Sequence, residues 1–331
     1  LPEMRALISA AALSALVGAG IAVATPARAA DDATVSVQVS DHRQVGASLT
    51  VSGDLTSASQ AITYPATVTL QRDHSSETQM QPTDSTGHFS FSDTPDTRGS
   101  VTYTVSWLGD ANHPSGATGH TTVTVAGKTP ALTLRLGRSV VLTGHTVRVT
   151  AHLGAGTTNR TVTIYAKPYR RHRRQLDSGN VDLNGNRSVT DRVYRRTTFS
   201  VHFTGDDAYA PATATRVVRV RAILREHLQG GYASSGGFRL YHPGSNPSVF
   251  VHMIPGQSRR CLYFRAQHYY SHSWHTSAVS PCLRTNAHGE LIGVLTGNHV
   301  VGEPYRVRAE WRGNRALLAR DGSWLKLKFH R

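Results

Sequence analysis

A ten-residue stretch occurs three times in this chain and limits what the chain can fold into. It reads YTVSWLGDAN at 103–112, FSVHFTGDDA at 199–208 and, more diverged, VRAEWRGNRA at 307–316. Each copy alternates along a strand and ends on an aromatic: Trp107, Phe203 or Trp311. After one more residue comes Gly109, Gly205 or Gly313, followed by Asp110, Asp206 or Asn314. Period-two alternation puts the aromatic and its i−2 and i−4 neighbours on one face of a strand. The Gly-Asx pair turns the chain, because glycine tolerates positive φ and Asp or Asn hydrogen-bonds its own backbone. A second strand follows each turn: TTVTVAG at 121–127, RVVRVRA at 216–222 and WLKLKFH at 324–330. The repeat is thus the strand–turn–strand end of a β module.

Residues 1–29 read as a signal peptide outside the fold. Arg5 precedes an apolar, Ala-rich run at 6–24, then Thr25-Pro26 and the small-x-small site Ala27-Arg28-Ala29. This pattern predicts a mature start at Ala30. The run is also long enough for an uncleaved anchor. No later segment has the apolar length to span a membrane. Val and Thr dominate the remainder, and no stretch sustains a 3.6-residue apolar period, so the expected class is all-β. Three tandem antiparallel sandwiches are expected, at 30–128, 129–221 and 222–331. Predicted strands lie at 34–40, 48–53, 67–73, 88–93, 101–107 and 121–125 in the first module. In the second they lie at 131–137, 146–152, 161–167, 188–193, 198–203 and 214–220. In the third they lie at 238–241, 249–253, 261–267, 290–295, 305–311 and 324–329, after a Gly-rich lead-in at 222–237 that reads as flexible. The short linker Gly127-Lys128-Thr129-Pro130 predicts a semi-extended row of independently melting modules.

The recurring aromatic-x-Gly-Asp turn, the module start Thr129-Pro130-Ala131-Leu132-Thr133-Leu134 and the leader resemble secreted Ig-like domain repeat proteins of actinobacteria. The third module, with Cys261, Gln267, Trp274 and Cys282 around a strand pair, resembles a Cys-containing variant of the same module. The resemblance covers nearly the whole mature chain. It implies the Ig-like fold and export, and says almost nothing of function, since this fold hosts unrelated tasks.

Cys261 and Cys282 are the only cysteines. A hairpin turning at Ser271-His272 would set them directly opposite each other, close enough to cross-link. An exported protein meets an oxidising compartment, so a structural disulfide is expected. A reactive thiol or a metal ligand is the alternative.

Charge is unevenly spread along the chain. The first module carries net −6, the second +11 and the third +9. Only 4 of 36 basic residues are Lys, a bias in which Arg is simply the default surface cation. That bias does not explain the difference between modules. The densest cluster is Tyr169, Arg170, Arg171, Arg173 and Arg174 at a hairpin tip, and Arg195-Arg196 lies in the turn before Phe199. A sandwich places both turns at one pole, where guanidinium forks suit phosphate or carboxylate. The same residues also suit a plain solvated turn. In the third module His268, His272, His275 and His299 invite a metal or a pH-sensitive reading, against ordinary polar turn residues.

His-Glu-x-x-His, Gly-x-Ser-x-Gly, phosphate-cradling Gly-rich loops and Asp-rich calcium loops are all absent from the sequence. Ser323 and Lys326 match Ser-x-x-Lys but would point to opposite faces of a strand. The expectation is a non-catalytic protein without cofactor or metal, secreted and extracellular or loosely wall-associated. Its basic modules would bind acidic envelope polymers, with nucleic acid bound only non-specifically. The alternative is a glycan- or protein-binding adhesin using Tyr241, Tyr269, Tyr270 and Trp274.

Overall fold

The computed structural model describes residues 32–41, 43–58, 60–256 and 259–331. The predicted leader and the mature start at Ala30 lie outside these residues. Among the described residues every regular element is a strand. The alternation predicts burial directly: Val101, Tyr103, Val105 and Trp107 are buried, as are Phe199, Val201 and Phe203, and Val307, Ala309 and Trp311.

The sheets fall into pairs along the chain. Among residues 34–125, one sheet orders Thr34–Val35, Leu49–Thr56 and Gln38–Val39, with His88–Asp93 also on Leu49–Thr56. The other orders Thr78–Pro82, Thr67–Arg72, Gly99–Trp107 and Ala117–Val125. In the second sandwich, Leu132–Leu136, His145–Leu153 and Asn186–Val193 form one sheet. Val140–Leu142, Ala212–Arg221, Thr197–Phe203, Thr161–Pro168 and Arg174–Asn180 form the other, in that order. The third sandwich sets Ile223–Gln229, Ser248–Ile254 and Glu290–Val294 against a larger sheet. That sheet runs Ala233–Ser235, Phe238–Tyr241, Leu325–Phe329, Pro304–Trp311, Cys261–Tyr270 and Ser273–Val279. The split of strands between the two sheets is that of Ig-like sandwiches. Among the described residues strand pairs are antiparallel except where Val140–Leu142 meets Ala212–Arg221 and Phe238–Tyr241 meets Leu325–Phe329, with isolated parallel bridges at Gln44–Ala126, Lys128–Tyr209 and Arg221–Leu318.

Contacts divide the chain into two compact units. The first holds residues 32–39, 50–91 and 102–121; the second holds 40–49, 92–101 and 122–331. Within the second unit one continuous core runs from Leu134 through Ala222 to Phe329. The second and third sandwiches are therefore not independent beads. Only Ala222, fully buried, separates the strand Ala212–Arg221 from Ile223–Gln229. The first part of the lead-in read as flexible, Ile223–Gln229, is this strand, paired over seven residues with Ser248–Ile254. Its ILREHLQ pattern carries alternation that the neighbouring glycines masked.

The repeated Gly-Asx turn has the same build in all three copies. Gly109, Gly205 and Gly313 sit at φ 93°, 86° and 82°. A Cβ on Gly313 would lie 2.6 Å from the Ala319 nitrogen, so the position demands glycine twice over. The Asx Oδ1 then accepts the N–H groups two and three residues on: Asn112 and His113 for Asp110, Ala208 and Tyr209 for Asp206, Ala316 and Leu317 for Asn314. In the second unit the turn also fastens to preceding chain. Arg98 N–H donates to Asp207 O at 2.6 Å and Ala210 N–H to Lys128 O at 2.9 Å. The third copy repeats this, with Arg196 N–H to Ala316 O and Leu318 N–H to Val220 O, both at 2.7 Å. The turn that ends one strand pair thus clasps the third sandwich to the second.

Candidate functional site

Strands Thr161–Pro168 and Arg174–Asn180 form the hairpin that carries the arginine cluster at its tip. Arg170 adopts φ 55°, and Arg171 N–H closes the turn on Pro168 O at 3.0 Å. The second turn, before Thr197–Phe203, meets this tip: Tyr169 N–H donates to Arg196 O at 2.8 Å. The Tyr169 ring takes the Arg196 guanidinium at 4.9 Å and that of Arg170 at 5.6 Å. Arg173 lies 4.3 Å over Tyr165. Both predicted turns therefore share one pole, with an aromatic between them.

One of the six predicted arginines is engaged elsewhere. Arg174 pairs with Asp191, a nearly buried carboxylate of the facing sheet. Arg195 is half-buried and has no carboxylate partner among the described residues; burial first, and Arg195 second, hold the Arg260 guanidinium below its usual value. Arg170, Arg171, Arg173 and Arg196 have no carboxylate partner among the described residues. Close by, burial and then Arg173 keep the His202 imidazole low. Sequence reasoning missed the Arg174–Asp191 pair because the acid lies on the other sheet, 17 residues away.

The cysteine hairpin turns at Ser271-His272, both at positive φ (46° and 63°), as a two-residue I′ turn requires. Pairing follows the expected register from Tyr270–Ser273 to Gln267–Thr276. An irregularity at Ala266/Gln267 then shifts it, and Cys261 comes to lie opposite Arg284, not Cys282. Cys261 and Cys282 still form the disulfide, diagonally, with Cα atoms 5.1 Å apart.

The histidines stack on different aromatic rings, joined through Tyr270 and Tyr305. His268 lies 4.3 Å from Tyr305 and contacts Glu303, His275 lies 4.1 Å from Tyr270, and His299 lies 4.2 Å from Phe329. Burial pushes the His299 imidazole down. No group of three or more His, Cys, Asp or Glu among the described residues is disposed to hold a metal ion. The aromatics proposed for an adhesin are also largely occupied. Tyr241 is buried and donates its hydroxyl to Gln229 O at 2.7 Å. Arg306 lies between Trp274 and Trp324, 4.3 Å from each ring, and Tyr269 packs on Trp274 at 5.2 Å. Tyr270, stacked on His275, remains exposed. Of these four rings, Trp274 has a guanidinium over one face, that of Arg306.

No known protein family matches the chain, and no curated protein matches it. Among solved structures it is similar to a tetra-tandem repeat in the extending region of a large adhesion protein. That likeness has 14% identity and a TM-score of 0.48, over 89% of this chain and 74% of the other. It is also similar to invasin, a bacterial integrin-binding protein, at 14% identity and a TM-score of 0.33, over 89% and 60%. Likenesses at this level do not transfer a function.

Proposed function

We propose that this chain is a non-catalytic extracellular interaction protein that binds acidic envelope polymers through the arginine pole of its second sandwich. The supporting observation is the joined pair of turns, held by the Tyr169–Arg196 hydrogen bond, with five of the six guanidiniums free of carboxylates among the described residues. Arginine forks match phosphate and carboxylate oxygens. Several acting together release condensed counterions from a polyanion, which gives affinity without sequence specificity. The net charge of +11 on residues 129–221 adds long-range attraction, and net −6 on residues 30–128 directs it to one part of the chain. The disulfide suits an oxidising, extracellular compartment. The test is binding of the full chain to long-chain polyphosphate, with neutral dextran as control, across a salt series. Binding that falls steeply with salt supports the reading. Equal binding to both polymers, or none to polyphosphate at low salt, overturns it.

A further inference from the structure

The two clasping turns of the second unit have the same backbone and opposite charge. The turn that receives Arg98 carries Asp206 and Asp207; the turn that receives Arg196 carries Asn314 and Arg315. Asn314 keeps the Asx geometry of Asp206, so the fold there needs the side-chain oxygen and not its charge. Beside the Asn314–Arg315 turn lies a cleft of about 130 Å³ between the second and third sandwiches. It is lined by Arg196, Arg219, Val220, Asn314 and Arg315, with the turn residues 316–318. No carboxylate lines it. None of the three arginines has an ion-pair partner among the described residues, nor do Arg195 and Arg260 at the same junction.

The three cleft arginines carry like charge around one opening, and their repulsion is relieved when an anion enters. The first clasp shows that the same joint can be built with acids. The cationic version is therefore a property of these residues and not of the architecture. The volume is about four waters' share, room for one tetrahedral anion with part of its hydration. Arg196 belongs to the cleft and to the Tyr169 pole at once, so one extended polyanion can reach both.

We propose that this cleft binds a phosphate group, and that on a polymer it forms a second contact continuous with the hairpin pole. The polymer part rests on the polyanion reading above; phosphate binding at the cleft stands without it.

The experiment uses the full chain at constant ionic strength, titrated with inorganic phosphate and separately with long-chain polyphosphate, chloride being the reference anion. Thermal unfolding and calorimetric titration are the readouts. The variants are Arg315→Asp, which puts an acid where the first clasp has Asp207, Arg219→Gln, and the pole triple R170S/R171S/R173S. The Arg196–Ala316 and Leu318–Val220 hydrogen bonds of this clasp are backbone to backbone, so these substitutions leave them in place, and amide exchange at Arg196 and Leu318 verifies it. Phosphate is expected to raise the melting temperature of the wild type and the pole triple, but not of R315D or R219Q. Polyphosphate affinity is expected to fall about tenfold in R315D, the scale of one charge-assisted hydrogen bond. If phosphate shifts R315D and R219Q as much as the wild type, or shifts nothing, the cleft is not a phosphate site. If polyphosphate then still binds and the pole triple weakens it, the pole reading survives. If phosphate binds but polyphosphate does not, the polyanion reading fails and the cleft stands as a site for the free ion.

Discussion

Glu226 Oε2 accepts a hydrogen bond from the Ala309 N–H at 2.8 Å, carboxylate of one sheet to backbone of the other in the third sandwich. Burial raises the Glu226 pKa to about 7 from 4.5, against the pull of the Ala309 N–H and of Arg308. A folded-state pKa above the unfolded one means the native state holds the extra proton. The contribution of Glu226 is then fully present below pH 4.5 and is lost as pH rises to about 7. Glu226→Gln should stabilise the second unit at pH 8 by about 3 kcal/mol, an order-of-magnitude figure from the shift. At pH 4 it should change little. Denaturant melts of wild type and E226Q at both pH values check this; equal differences at the two would refute the assignment.

The pole variant R170S/R171S/R173S should keep the wild-type melting temperature, because solvated turn residues contribute within about 0.5 kcal/mol. Its polyphosphate salt slope should flatten by about 1 for each phosphate that is no longer neutralised. Arg174→Ser should behave differently, costing about 1 kcal/mol by leaving Asp191 nearly buried and unpaired. Salt-series titrations beside thermal melts separate the two effects.

Cys261→Ala should lower stability by about 3 kcal/mol, the scale for a loop of this length. The second and third sandwiches share one core, so the loss should appear in a transition common to both. Calorimetry of the intact and substituted chain checks it, and a shift confined to a separate peak for residues 223–329 would contradict the shared core.

Gly313→Ala forces an L-residue to φ 82° and presses its Cβ toward Ala319 N. The cost should be about 1–3 kcal/mol. Because the clasp hangs on this turn, amide exchange at Arg196 and Leu318 should quicken more than exchange inside Thr161–Pro168.

Strands with one buried face were readable in the sequence because alternation is the burial pattern itself, as at Val101–Trp107. Arg174–Asn180 was not: its RQLDSGN sequence has no fully buried position and so no period to detect. The meeting of the Tyr169 and Arg196 turns followed from sandwich topology, which fixes turns by strand order. The pairing of Arg174 with Asp191 did not follow, since it depends on which side chains meet across the two sheets. The cysteine register slips by one residue at Ala266/Gln267 and by a second before it reaches Leu262, which simple counting cannot carry. The cleft at Arg315 depends on how two sandwiches dock, and only the charge of its members was visible beforehand.

Ala222 has a mechanical consequence. A one-residue joint can lengthen by no more than about 3.6 Å. If the chain is pulled by its ends, tension on the strand Ala212–Arg221 passes to Ile223–Gln229 almost without slack. The joint therefore cannot act as an extensible spring. Any larger elongation between these two sandwiches has to come from stripping strands out of their sheets, so load and unfolding are coupled at this point of the chain.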